Sequence, residues 1–284
     1  MNPYIKIIRL GNVFMAVIAV ILIAIIANNF NLPILLGAIG VFLVISGGNV
    51  INDYFDYNID LINRPDRPIP SGEISLKNAR IYAIILFFIA ILIGILITYL
   101  INNIIPLLII LFSIAILYLY AYKFKGTVLI GNFIVGLLTG LCFLFAGLII
   151  GIETNSFKII FISIFLGFFA LLMTMAREIT KDMEDILGDK KENIKTFPIV
   201  FGRKKSAYLI VFLIIIDCIL SPIVYFLGIF NLFYLLIMII AILIFLYSAL
   251  TIFMDQSTET CKKTSKLLKI GMFISFIAFA IGII

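Results

Sequence analysis

The sequence predicts an all-α, polytopic membrane protein with nine transmembrane helices bundled around a central cavity open to the cytoplasmic side. Three observations carry that reading. Of 284 residues, 64% are apolar and only 13% charged, whereas a soluble domain has about a quarter of its residues charged. Apolar runs of roughly 18 or more residues recur, each long enough to cross about 30 Å of hydrocarbon. The cations gather in alternate connections, as the positive-inside rule requires.

The spans are expected near 9–28, 33–57, 77–101, 104–122, 127–151, 157–181, 204–228, 231–254 and 265–284. Connections such as Asn28-Asn29-Phe30-Asn31 and Gly228-Ile229-Phe230-Asn231 are short enough to make successive spans antiparallel neighbours. Lys6, Arg9, Arg64, Arg67, Lys77, Arg80, Lys123, Lys125, Arg177, Lys181, Lys190, Lys191, Lys195 and Arg203 fall on one side, joined by Lys204, Lys205, Lys262, Lys263, Lys266 and Lys269; the other side has Lys158. The amino terminus is therefore expected in the cytoplasm of a cell-membrane protein, and the carboxyl terminus outside. Two cytoplasmic connections, 58–76 and 182–203, are much longer than the rest and hold most of the carboxylates. One domain spanning 1–284 is expected, with its chemistry in those loops.

Topology accounts for the net charge of +6 without nucleic acid. Cys142, Cys218 and Cys261 stand apart, so neither a disulfide framework nor a zinc site is expected. There is no histidine, and metal chemistry must use oxygen ligands. No small-residue cleavage site follows the first apolar run, so no cleavable leader is expected. Asp217 lies within span seven, where a hydrogen bond to a neighbouring helix is its expected use.

Two acidic clusters close spans two and six. The first reads Asn49-Val50-Ile51-Asn52-Asp53-Tyr54-Phe55-Asp56-Tyr57-Asn58-Ile59-Asp60, and the second runs from Arg177-Glu178 through Lys181-Asp182 to Asp185 and Asp189. Each carries D-x-x-D-x-x-x-D: Asp53, Asp56, Asp60 and Asp182, Asp185, Asp189. At about 100° per residue these positions share one helical face. Asn49 and Asn52 join the first face and Glu178 the second, while Glu184 points away. Spans two and six end on the same membrane surface, so the two faces are expected to meet at one cavity mouth. Opposed carboxylates repel unless cations lie between them. Oxygen donors of this kind suit magnesium, which bridges protein carboxylates to substrate phosphates. Arg64 and Arg67 sit in the proline-stiffened run Asn63-Arg64-Pro65-Asp66-Arg67-Pro68-Ile69-Pro70-Ser71-Gly72, and Lys181, Lys190 and Lys191 flank the second cluster. Arginine forks and lysine point charges match phosphate oxygens.

These residues resemble the UbiA superfamily of intramembrane prenyltransferases. Asn52 to Asp60 is similar to its N-D-x-x-D-x-x-x-D motif, Asn63 to Gly72 to its N-R-P-x-R-P-I-x-S-G run, and Asp185-x-x-x-Asp189 to its second motif. Nine spans with loops after the second and sixth match the family's layout over the whole chain. Arg177-Glu178 stands where quinone-forming members often carry a tyrosine-aspartate pair, and the second cluster looks most like the archaeal lipid-forming branch. That resemblance implies transfer of geranylgeranyl from its diphosphate to the free hydroxyl of geranylgeranylglyceryl phosphate. The partners implied are a prenyl diphosphate, a lipid-phosphate acceptor and membrane lipids.

Under this reading Asp56, Asp60, Asp185 and Asp189, helped by Asn52, Asp53 and Asp182, hold magnesium on the diphosphate. Arg64, Arg67, Lys181 and Asn49 attend its oxygens. Departure of diphosphate leaves an allylic cation, which needs a dry chamber and aromatic faces. Tyr118 and Tyr122 are the candidate rings, with ordinary packing the alternative for either. Lys123 and Lys125 close the same span, to bind phosphate or to anchor it. Arg9 and Asn12 are candidates for the acceptor phosphate. Two rivals stand beside this reading: an aromatic-acceptor prenyltransferase of quinone or tetrapyrrole synthesis, and a secondary transporter, whose acidic residues would lie nearer the bilayer midplane.

Overall fold

A computed structural model describes residues 2–191 and 194–283, with Lys191 described by its backbone. In chain order the helices are α1 (Pro3–Ile7), α2 (Leu10–Ala27), α3 (Leu32–Phe55), α4 (Tyr57–Asn63), α5 (Leu76–Ile101) and α6 (Ile105–Leu119). A π-helical turn (Tyr120–Phe124) leads to α7 (Ile130–Glu153), α8 (Phe157–Glu184), α9 (Ile186–Lys191) and α10 (Phe197–Phe201). The chain ends with α11 (Arg203–Leu220), α12 (Ile223–Phe226), α13 (Leu232–Met254) and α14 (Thr258–Ile281). Among the described residues there is no strand, and nine helical stretches are long and apolar enough to cross a membrane. The protein is a multi-pass membrane protein.

Polar residues at the helix ends set the boundaries. Asn31 Oδ1 accepts from the Ile34 amide at 3.1 Å, Ser75 Oγ from Asn78 at 3.2 Å and Asn231 Oδ1 from Phe233 at 2.9 Å. Each satisfies a donor that the first helical turn leaves open. Asn28 and Asn102 close α2 and α5 with left-handed φ values of 47° and 50°, a conformation asparagine tolerates better than most residues.

Three expectations are corrected. The ninth span starts at Thr258 rather than 265, because Lys262, Lys263 and Lys266 dilute the hydropathy of a turn that Ser257 caps. The long connections are partly helical, containing α4, α9 and α10. Asp217 is buried, yet its Oδ1 has no hydrogen-bond partner among the described residues, and neither has Ser221 Oγ one turn on. Both line a cavity of ≈ 30 Å³ with Met173, Met238 and Phe279.

The described chain forms two compact units. One comprises the residues through Lys125 with Cys142–Ser163; the other comprises Gly126–Leu141 and the residues from Ile164 onward. In the first unit α3 packs along α5, and also touches α2 and α6. Gly47 and Gly48 allow that closeness: a Cβ would lie 2.6 Å from the Phe87 ring at the first and 2.9 Å from Leu117 at the second. Small residues let membrane helices approach where hydrophobicity gives no preference. The same unit's core buries Ile7, Ile8, Val50, Ile69, Ile74 and Ala79, so α1 and the loop after α4 are clamped against α3 and α5. In the second unit Tyr234, Phe230 and Phe279 stack, and Tyr234 Oη donates to the Ser221 carbonyl at 2.6 Å.

Candidate active site

The first aspartate triplet lies at a helix break. α3 ends at Phe55, Asp56 caps it, and α4 begins at Tyr57. The expectation of one unbroken helical face is therefore corrected, although the carboxylates still converge. Asp53, Asp56 and Asp60 are 2%, 5% and 4% exposed, and each offers an oxygen within 4.8 Å of the other two. The second triplet has a matching break, with α8 ending at Glu184 and α9 starting at Ile186, so Asp185 lies between helices. In both motifs the middle aspartate marks the interruption.

Three buried carboxylates this close would repel, and the chain meets them with cations. Arg9 pairs with Asp53, Arg67 pairs with Asp60 and reaches Asp53 at 3.3 Å, and Lys125 pairs with Asp56. Asn52 Nδ2 donates to Asp56 Oδ2 at 2.8 Å. Each cation is set by its local backbone. Arg9 occupies the bend between α1 and α2 at a left-handed φ of 54°, a region where the Cβ of an L residue crowds the backbone and one populated at functional sites. Asn49 fixes that bend by donating to the Ile8 carbonyl at 2.7 Å. Arg67 belongs to a loop pinned by buried Ile69 and Ile74 and by the Ile74 amide donating to the Pro68 carbonyl at 2.8 Å. Lys6 Nζ donates to the Asp66 carbonyl at 2.7 Å. Lys125 follows the π-helical turn, its amide donating to the Tyr120 carbonyl at 2.9 Å. Single π turns inside helices cluster at functional sites.

An aromatic group adjoins the triplet. The Phe55 ring lies 5.5 Å from Tyr118 and 5.6 Å from Tyr122, and the two tyrosines stack at 6.3 Å. Both are more than one-third exposed, so their faces remain available. Arg64, Asn12 and Lys123 are exposed, and Arg64 and Lys123 make no ion pair among the described residues.

In the second unit Asp182 Oδ2 accepts from Asn132 Nδ2 at 2.7 Å. Glu178 takes Lys181 at 2.9 and 3.0 Å and Arg177 at 3.2 Å. Asp185 is exposed, and Asp189 is half-buried near the start of α9. Among the described residues only the first triplet brings three ligand oxygens within 4.8 Å. The side chain of Lys191 lies outside the described residues.

Sequence reasoning missed Asn132 and Phe55 and left Lys123 and Lys125 undivided, whereas among the described residues Lys125 is the one that reaches the triplet. Asn132 was detectable as a lone amide inside an apolar run. The choice between the two lysines was not, because a π turn shifts every later residue off the 3.6 period.

A donor set of carboxylates and one amide fits a hard divalent cation, magnesium above others. The separations within the triplet fit that use. A bundle of apolar helices with a buried carboxylate group, basic side chains and exposed rings defines a membrane enzyme for anionic, apolar substrates. Residues 12–277 match the UbiA prenyltransferase family, and the chain belongs to it. Its relatives include the digeranylgeranylglyceryl phosphate synthase of Methanobrevibacter smithii, 57% identical over 99% of this chain and 98% of that protein. A solved structure concerning digeranylgeranylglyceryl phosphate synthase is 40% identical, covers 99% of this chain and 97% of its own, and superposes with a TM-score of 0.82. A UbiA homologue from Archaeoglobus fulgidus bound to DMAPP and Mg2+ shares the fold at a TM-score of 0.65 and 19% identity, over 98% and 99% of the two chains.

Proposed function

We propose that this protein transfers a geranylgeranyl group from geranylgeranyl diphosphate to geranylgeranylglyceryl phosphate, giving digeranylgeranylglyceryl phosphate and diphosphate. The observation that carries the reading is the buried triplet Asp53, Asp56 and Asp60 with Arg9, Arg67 and Lys125 on its oxygens. Relatives bearing the synthase's name at 57% and 51% identity over 99% of the chain support the choice of acceptor.

Asp53, Asp56, Asp60 and Asn52 would hold magnesium in the first unit, with Asp182, Asp185 and Asp189 as further candidates from the sequence. When bound, magnesium supplies Lewis-acid stabilisation of the leaving diphosphate. The chain's residues do the rest. Arg67 and Arg64 take phosphate oxygens that the carboxylates cannot. The bond between the allylic carbon and its phosphate oxygen breaks as diphosphate departs. Tyr118, Tyr122 and Phe55 face the allylic cation, and the apolar helices exclude water from it. The acceptor hydroxyl oxygen bonds to that carbon, and its proton passes to a phosphate oxygen, so no dedicated base is required. Arg9 and Asn12 are assigned to the acceptor phosphate. The amino terminus is assigned to the cytoplasm, and residues 1–284 to one catalytic domain.

Purified protein incubated with labelled geranylgeranyl diphosphate, magnesium and a panel of acceptors tests the reading. Digeranylgeranylglyceryl phosphate is the expected product. A prenylated aromatic ring, with the glyceryl phosphate untouched, would replace it with the aromatic-acceptor reading.

A further inference from the structure

Asp56 differs from its two neighbours in how it is neutralised. Asp53 is shared by two arginines, and Asp60 is held by Arg67, whose loop is clamped by Ile69 and Ile74. Arg67 is only 17% exposed. Among the described residues Asp56 has one cation, Lys125, whose side chain is 39% exposed. Lys125 is an ammonium on a flexible four-carbon stem, with no second carboxylate on it among the described residues. Both Lys125 and Asn52 contact the same oxygen, Asp56 Oδ2.

A divalent cation on the triplet would take up the charge that Lys125 answers, and would repel an ammonium remaining on the same carboxylate. A diphosphate beside the triplet offers that ammonium several oxygens in place of one. The two ligands therefore act on Lys125 in the same direction.

We propose that Lys125 is an exchangeable counter-ion, passing from Asp56 to the substrate diphosphate as a divalent cation engages the triplet, so that each ligand tightens the other's binding. The inference rests on the functional reading above and adds to it a residue that couples the two ligands. A fixed Lys125 would weaken cation binding equally with and without diphosphate. An exchanging Lys125 makes the coupling depend on itself, and linkage requires the same factor in both directions.

The test is Mn2+ binding to the full-length protein in detergent, read by electron paramagnetic resonance of free Mn2+. It is run with and without inorganic diphosphate, after subtracting the Mn2+–diphosphate complex in solution. For Lys125→Met and Lys125→Gln, Mn2+ alone should bind about three- to tenfold more tightly than to the unaltered protein, and the tightening by diphosphate should shrink by a similar factor. Lys125→Arg should keep most of the coupling. The proposal is overturned if Mn2+ alone binds both neutral variants no more tightly, or if the gain is equal with and without diphosphate. Asp56→Asn separates the two levels of argument. If it leaves Mn2+ binding unchanged, the triplet is not the cation site and the functional reading fails; if it weakens binding while the Lys125 variants keep full coupling, only the exchange fails.

Discussion

Replacing Arg67 by methionine tests whether the buried carboxylates need positive charge rather than this particular side chain. Arg67 is the one cation on Asp60 among the described residues, while Asp53 keeps Arg9. The substitution therefore strands one carboxylate that is 4% exposed. Breaking a fully buried ion pair costs about 3–5 kcal/mol; water at the membrane edge and the partial exposure of Arg67 reduce this to about 2–3 kcal/mol. In SDS titrations of mixed micelles containing a chelator, Arg67→Met should lose that much unfolding free energy. A ligand at a hundred times its dissociation constant stabilises the folded state by about 2.7 kcal/mol. Saturating magnesium should therefore restore most of the loss, because a divalent ion takes over the role of the guanidinium. If the variant is as stable as the unaltered chain in chelator, or if magnesium stabilises it no more than it does the Asp56→Asn, Asp60→Asn double variant, the reasoning about the triplet is wrong.

Asp217→Leu should raise stability by about 1–3 kcal/mol, since it removes a buried oxygen without a partner among the described residues, beside a cavity of ≈ 30 Å³; the same SDS titration checks it, and a loss would show that Asp217 has a partner that the fold requires. Tyr122→Leu should lower kcat by about 2- to 30-fold with KM for the prenyl diphosphate little changed, as loss of a cation–π contact predicts, and Tyr122→Phe should retain most of the rate. In a cysteine-free background, thiols introduced at Lys158 and Lys204 should react with an impermeant reagent from opposite sides of sealed vesicles. Labelling of both from one side would overturn the assigned topology.

Hydropathy made the spans legible because burial in lipid demands unbroken apolar runs, and the helix ends followed within a few residues where an asparagine or serine capped them. The ninth span was read short because lysines interrupt its first two turns. The spacing D-x-x-D-x-x-x-D pointed to both triplets, since it brings carboxylates together on a helix, and the first still converges around Asp56 although the helix breaks there. That break was illegible: nothing between Asn52 and Asp60 is a glycine or proline, so it arises from tertiary packing. The pairing of Arg9 with Asp53 also escaped the sequence, because it depends on a left-handed bend that Asn49 stabilises from another helix. Any role of Arg9 on the acceptor phosphate must share the guanidinium with Asp53.

The central claim is that Asp53, Asp56 and Asp60 hold the divalent cation on which prenyl transfer depends. Its most direct measurement is the magnesium dependence of geranylgeranyl transfer to geranylgeranylglyceryl phosphate by the unaltered protein and by the Asp56→Asn, Asp60→Asn double variant, with folding checked by SDS titration. The account predicts no product in chelator, saturable activation by magnesium in the unaltered protein, and a loss of at least about a hundredfold in kcat for the variant. Unchanged turnover in chelator, or full activity in the folded double variant, would contradict it.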